Sequence, residues 1–240
     1  MERRAPTAPA TSWRGARGVV GAVILVGVDV NLRCLGVGIV IKHGVREALR
    51  VVGEKAAKYG LEVAALKNYV AIYGGIGFGV PGFDEYVKPA IKSLAEKYAA
   101  ELEVIREVGV PVKPVEPRLR GGIPEADVVM GILRSEIKDA GLIEVPPLFN
   151  EELEWLVVRA SRRWEAAYKF GVNRAAQKIA SLARKLMTIE AVVIKMEDLV
   201  TIHGKAVANP KTRRWCYAYI QKAVVRWLPP IRIGLSLIHI

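Results

Sequence analysis

Two carboxylates close apolar runs in this 240-residue chain. Asp29 stands near the end of the run 23–30, and Glu197 directly follows the run 191–196. Short apolar runs rich in Val and Ile read as buried strands. If those two strands lie side by side and parallel in a mixed sheet, both carboxylates emerge at one edge, where α/β sheets place their chemistry. Hard oxygen donors there can hold two Mg²⁺ ions roughly 4 Å apart, activating a water and stabilising the leaving oxygen of a phosphodiester. Each residue also has a plainer explanation. Asp29 can be a turn residue, Glu197 a surface carboxylate, and Asp198 a solvated or hydrogen-bonding neighbour.

Charge is unevenly spread. The chain carries 36 Lys+Arg against 24 Asp+Glu, a net +12. Residues 29–150 are balanced, with 16 basic and 16 acidic side chains, whereas residues 151–228 carry 15 basic and 7 acidic. A neutral half joined to a basic half suits a polyanion docking on the second half. Arg174, Lys178 and Lys185 share one side of an expected helix. Arg213, Arg214 and Lys222 lie on another, interleaved with Trp215, Tyr217, Tyr219 and Trp227. Cationic groups neutralise phosphates while exposed rings stack on bases; Trp227 is expected in the core, and Trp215 and Tyr219 stay open between the two roles.

Other chemistry-bearing residues are less suggestive. Gly77, Gly79 and Gly82 formally match a phosphate-cradling G-x-G-x-x-G after a strand-like 69–73, but Pro81 interrupts the loop. His43 and His203 sit beside Gly44 and Gly204 with no partner at ligand spacing, and read as structural. Two cysteines, Cys34 and Cys216, exclude a disulfide scaffold and a four-cysteine zinc site within this chain; they are expected reduced and buried.

The elements that must position these groups read as an α/β chain. Residues 1–18, rich in Pro, Ala, Thr and Arg, are expected to be a disordered basic tail. Strands are expected over 23–30, 35–41 and 45–52, an antiparallel meander turning at 31–34 and 42–44. Residues 53–150 read as a largely helical insertion, with helical spacing over 54–65, 88–108 and 126–139, and a Pro/Gly linker over 110–124. Asn150 suits the N-cap of a long helix to about 185, breakable at Gly171. Its stripe Val172, Ala176, Ile179, Leu182 and Leu186 would face the core. A strand over 191–196, a helix from Pro210 to about 227 and a last strand from 231 complete the pattern.

The order V-G-V-D-V-N, then N-R-A-A-Q-K-I-A-S-L-A-R-K-L, then A-V-V-I-K-M-E-D-L, then R-R-W-C-Y-A-Y-I-Q-K-A-V resembles the OrfB/TnpB family of insertion-sequence proteins. The likeness covers 172–234 best and 23–52 fairly. It implies an RNase H-like (RuvC-type) mixed sheet flanked by helices, split between 19–52 and 151–234, in a transposon-associated, RNA-guided DNA endonuclease. By the resemblance, Asp29 stands for the family's first metal-binding Asp and Glu197 for its catalytic Glu. Mg²⁺, with Mn²⁺ possible, is the implied metal, and DNA and guide RNA are the implied partners. A third catalytic Asp and a zinc ribbon would lie beyond residue 234, and guide-binding domains before residue 1. This chain is therefore expected to be a fragment, inactive alone. Residues 235–240 resemble a translated sequencing adapter, so the natural chain is expected to diverge near Gly234.

Two alternatives stay open, a non-catalytic nucleic-acid-binding remnant and a nucleotide-binding enzyme using the Gly77–Gly82 loop. The apolar run from Val19 is too short to span a bilayer and lacks a small-residue cleavage site, so a cytoplasmic protein is expected. Few Asn and Gln lean the composition toward a thermophile source.

Overall fold

A computed structural model describes residues 23–66, 68–109, 111, 113, 115–119, 126–142, 145–196, 210–227 and 233–235. The elements in chain order are β1 (Val23–Val30), β2 (Cys34–Ile41), α1 (Val45–Lys58), β3 (Glu62–Leu66), β4 (Tyr69–Gly77) and α2 (Phe83–Val108). They continue with α3 (Ala126–Asp139), α4 (Pro147–Leu186), β5 (Ala191–Met196), α5 (Pro210–Trp227) and β6 (Ile233–Leu235).

The strands form one mixed sheet in the order β3-β4-β2-β1-β5-β6. β1 and β2 are antiparallel, as are β2 and β4, while β5 runs parallel to β1 and β6 parallel to β5. This is the RNase H-like α/β architecture. Alternation fixes which side of each strand is buried, since successive side chains point to opposite faces. In β1, Ile24, Val26, Val28 and Val30 are buried, and Val23, Leu25 and Asp29 are exposed. The buried face lies in one core with α1, the second half of α4, and α5.

The expected third strand over 45–52 is instead the start of α1. Its β-branched residues suggested a strand, but Ala48, Val52 and Ala56 recur at helical spacing and are all buried. Gly44, at φ 58, turns the chain out of β2 into this helix. The helix ends at Gly60, φ 78, where Gly60 N–H donates to the Ala57 carbonyl and Leu61 N–H to the Ala56 carbonyl. That pair of bonds is a Schellman ending. The strand next to β2 is β4, so the stretch read as a helical insertion contributes both β3 and β4 to the sheet.

α4 starts at Pro147, before Asn150, which is therefore not the N-cap. Asn150 instead ties the helix to residues 116–118. Its Oδ1 accepts from Arg118 N–H at 2.9 Å, and its Nδ2 donates to the Glu116 carbonyl at 3.4 Å. Nor does Gly171 break α4. A Cβ there would collide with the carbonyl oxygen of Phe78, so the missing side chain lets the loop after β4 lie directly on the helix. The expected stripe Val172, Ala176, Ile179, Leu182 and Leu186 is buried as read. The first half of α4 serves a second core, where Phe149, Leu153 and Val157 meet α2 and α3.

Candidate carboxylate site and cationic faces

Asp29 lies one residue before the end of β1, exposed, on the sheet face opposite the helices. Its cross-strand partner on β2 is Gly36. A Cβ at Gly36 would sit 3.1 Å from the Asp29 Cβ and 3.4 Å from Oδ2, so glycine there leaves the carboxylate room. Gly36 in turn faces Gly75 on β4. Strand glycines mark places where another group approaches the backbone closely. Among the described residues, no ion pair or hydrogen bond engages the Asp29 carboxylate.

The turn after β1 is anchored from two sides. Asn31 N–H donates to the Cys34 carbonyl at 3.1 Å, and the Tyr168 hydroxyl of α4 donates to the Leu32 carbonyl at 3.1 Å. Burial, then the neighbouring Cys216, pushes the Tyr168 phenol well above its ordinary value, which keeps it a donor at any physiological pH. Arg33, next in the turn, pairs with Glu85 of α2 at 2.8 Å. Phe78 N–H donates to the Arg33 carbonyl at 3.0 Å, fastening the loop after β4 to the same turn.

The expected parallel neighbour is present. β1 and β5 pair in register from Val23 with Ala191 to Val28 with Met196. Glu197 and Asp198 lie outside the described residues, as do His203, Asn209 and the tail 1–18. The expected closeness of Asp29 and Glu197 therefore concerns one described and one undescribed side chain. Among the described residues, no group of three or more His, Cys, Asp and Glu side chains gathers in a metal-holding cluster.

Lys195 is a residue that sequence reasoning passed over. It is exposed on β5 and paired with Gly27, on the same face as Asp29. Only the register reveals this, because in sequence Lys195 is a single charge inside an apolar run.

The six expected nucleic-acid contacts divide. Arg174 and Lys222 are exposed. Lys178 is half-buried, its ammonium 5.2 Å from the centre of the Tyr59 ring, and Lys185 donates to the Val51 carbonyl at 3.2 Å. Both lysines thus help fasten α4 to α1. Arg213 and Arg214 lie on α5, with side chains outside the described set. Trp215 and Tyr219 stack with centroids 5.8 Å apart, and the Lys169 ammonium lies 5.6 and 5.9 Å from them. Asn173 accepts from Trp227 Nε1 at 2.9 Å and donates to the Tyr219 hydroxyl at 2.7 Å, so these rings belong to the α4–α5 junction. Cys216 is buried and Cys34 half-buried, and neither takes part in a disulfide among the described residues.

The Gly77–Gly82 loop has the strand–loop–helix order that a phosphate cradle needs, since β4 enters it and α2 leaves it. Its surroundings oppose that use. Asp84 and Glu85 occupy the first turn of α2, where an anion would bind. The Asp84 carboxylate sits over Gly82, and the Pro81 carbonyl accepts from Trp164 Nε1 at 3.0 Å. Phe78 is buried and meets Tyr168 edge-on, 5.5 Å between centroids. Gly79, at φ 71, serves the turn, and Gly82 leaves room for the Asp84 carboxylate.

The strand order and the parallel β1–β5 pair define an RNase H-like α/β domain. No family model matches the chain, and no curated protein matches it. Among solved structures, it is similar to C2c1 of Alicyclobacillus acidoterrestris in complex with single-guide RNA, at 8% identity and a TM-score of 0.35. That match covers 90% of this chain and 33% of that one. It is also similar to CasPhi-2 (Cas12j) bound to crRNA, at 15% identity and a TM-score of 0.30, covering 90% of this chain and 40% of the other. The chain thus spans less than half the length of either. Among the described residues, no helix is long and apolar enough to cross a membrane.

Proposed function

We propose that this chain is the RuvC-like portion of an OrfB/TnpB-type, transposon-associated DNA endonuclease, whose parent hydrolyses phosphodiesters with Mg²⁺ under RNA guidance. The observation that carries the reading is the β1–β5 ladder. Its last described pair is Val28 with Met196, the residues that directly precede Asp29 and Glu197 in the chain. Asp29 fits a hard divalent cation: it is a carboxylate, exposed, free of protein partners among the described residues, and faced by a glycine.

Asp29 and Glu197 would hold the metal, with Mn²⁺ as an alternative ion. The ions, when bound, supply an acidified water and charge stabilisation at the phosphate. The chain's own part is to fix where the first carboxylate points, through Tyr168 and Arg33 on the turn and Gly36 opposite. Lys195, on the same face, adds a positive charge suited to a phosphate. The basic groups Arg174, Arg213, Arg214 and Lys222 would hold the polyanion, with weaker roles for Lys178 and Lys185, which already have partners.

The test is Mn²⁺ binding followed by electron paramagnetic resonance, with Asp29→Ala and Glu197→Ala as comparisons. Loss of the bound-ion signal in both variants supports the reading, and unchanged binding in both overturns it. Cleavage of single- or double-stranded DNA by this chain alone is expected to be weak, because the family's third carboxylate has no counterpart after Asp198 in this sequence. Salt-sensitive nucleic-acid binding without any Mn²⁺ binding would favour the non-catalytic remnant instead.

A further inference from the structure

Between Trp155 and Arg174, α4 bears exposed aromatic and cationic side chains that neither core uses. Trp155 is 63% exposed and Phe170 69% exposed. Arg159, Arg162, Arg163 and Arg174 are exposed on the same stretch of helix. At 3.6 residues per turn, Trp155, Arg159, Arg163, Phe170 and Arg174 all fall on one side. Trp155 and Phe170 stand about 22 Å apart along the axis at 1.5 Å per residue. The Arg159 guanidinium lies 4.8 Å from the Trp155 ring centre, which orients ring and charge together. Beside them a cavity of about 320 Å³ opens between α2 and α4, lined by Tyr86, Ala90, Trp155, Leu156, Arg159 and Arg163 among others.

We propose that this side of α4 is a docking track for single-stranded nucleic acid, with Trp155 and Phe170 as stacking platforms and the arginines between them holding phosphates. The proposal rests on the nucleic-acid reading given above and assigns it a surface distinct from the sheet edge and from α5. Charge complementarity selects the occupant. The arginines Arg159, Arg162, Arg163 and Arg174 have no acidic partner at salt-bridge distance among the described residues, and the nearby Glu165 is taken by Lys169. An apolar protein partner would leave four guanidiniums to be desolvated, whereas a phosphate chain neutralises them and offers bases to the rings. A duplex keeps its bases stacked inside, so exposed rings favour an unpaired strand.

The experiment is fluorescence anisotropy with labelled oligothymidylate and oligouridylate, and a duplex of matched length, over a salt series. The variants are Trp155→Ala, Phe170→Ala, Arg159→Glu with Arg163→Glu, and Lys222→Glu with Arg213→Glu on α5. Circular dichroism melts verify that each variant is folded, and Trp155→Phe keeps a ring where Trp155→Ala removes it. The expected result is roughly tenfold weaker single-strand binding for each lost ring. Trp155→Phe should retain most of the affinity, and the Arg pair should flatten the salt slope. A 5-bromouridine cross-link mapping to Trp155 or Phe170 supports the track directly. Full affinity in both ring variants, with loss only in the α5 pair, overturns the track and leaves the nucleic-acid reading standing. Equal affinity for duplex overturns the stacking role. No binding of any nucleic acid by the parent chain removes both. A dimer that Trp155→Ala dissolves, with nucleic-acid binding unchanged, also overturns the track.

Discussion

The two halves of α4 are one continuous helix put to opposite uses. From Tyr168 to Leu186 the helix lies on the sheet, and its buried side is made of small and branched residues: Val172, Ala175, Ala176, Ile179, Ala180, Leu182 and Ala183. Alanines let the helix approach β2, β4 and β5 closely, and Gly171 takes this furthest, against Phe78. From Pro147 to Trp164 one side is buried through Phe149, Leu153 and Val157, with Leu156, Ala160 and Trp164 packed beside them, and Trp155 and the arginines meet solvent. The first half therefore exposes Trp155 and three arginines, while the second half exposes Phe170 and Arg174 only outside its buried stripe. A helix that crosses a sheet keeps a binding surface only on the side turned away from that sheet.

Ile179→Ala attacks the sheet-bound half where it is completely buried, and should cost about 2–5 kcal/mol, read as a lowered denaturation midpoint. Gly171→Ala tests the close approach. Alanine favours a helix by up to about 1 kcal/mol, but the clash with the Phe78 carbonyl should outweigh this and leave a net loss of about 1–3 kcal/mol. A stabilised Gly171→Ala protein would show that the loop is free to move off the helix.

Asn173→Ala removes the partner of both Trp227 Nε1 and the Tyr219 hydroxyl at the α4–α5 junction. Being half-buried, it should cost about 1–2 kcal/mol, at the lower end for orphaned polar groups. Trp155→Ala, by contrast, should shift stability by no more than about 0.5 kcal/mol, since the ring is exposed. A larger effect would mean that the open half carries structural weight.

The smallest effect concerns protons. Tyr98 is buried in the core shared by α2, α3 and α4, and burial, with Glu152 and Glu101 nearby, raises its phenol to about 12. A raised folded-state value means the folded protein holds this proton more tightly than the unfolded chain. Its contribution is therefore complete below the ordinary value of 10.0 and fades as pH climbs toward about 12. Alkaline spectrophotometric titration should show Tyr98 and Tyr168 ionising above the ordinary tyrosine value, and Tyr98→Phe should flatten the alkaline loss of stability.

Periodicity was a good guide wherever one face of an element is buried. The strands at Val23–Val30 and Ala191–Met196, the helix at Ala126–Asp139 and the buried stripe of α4 follow directly from it. It misled at 45–52, where Val and Leu are as frequent as in a strand and only the neighbour α4 selects the helical spacing. It also missed β3, whose five residues are mostly exposed at a sheet edge and carry no alternation to read. Asn150 is typical of a cap, yet the helix begins earlier because Pro147 fits its first turn and the Asn150 amide is engaged by residues 116–118.

For the site, chain order alone offered Asp29 as a carboxylate ending an apolar run, and the charge count placed the cationic excess in the second half. Those are properties of the chain, readable without its partners in space. That β5 lies parallel to β1 and ends its described ladder at Met196 depends on α4 returning the chain across the sheet. That Gly36 clears room for Asp29 depends on the antiparallel register of β2. Lys178 and Lys185 looked equivalent to Arg174 until α1 packed beside them and engaged both. Local spacing dictates which side of an element is apolar; which groups then share a face, and which stay free for a ligand, is decided by packing between residues far apart in the chain, where sequence has no period to show.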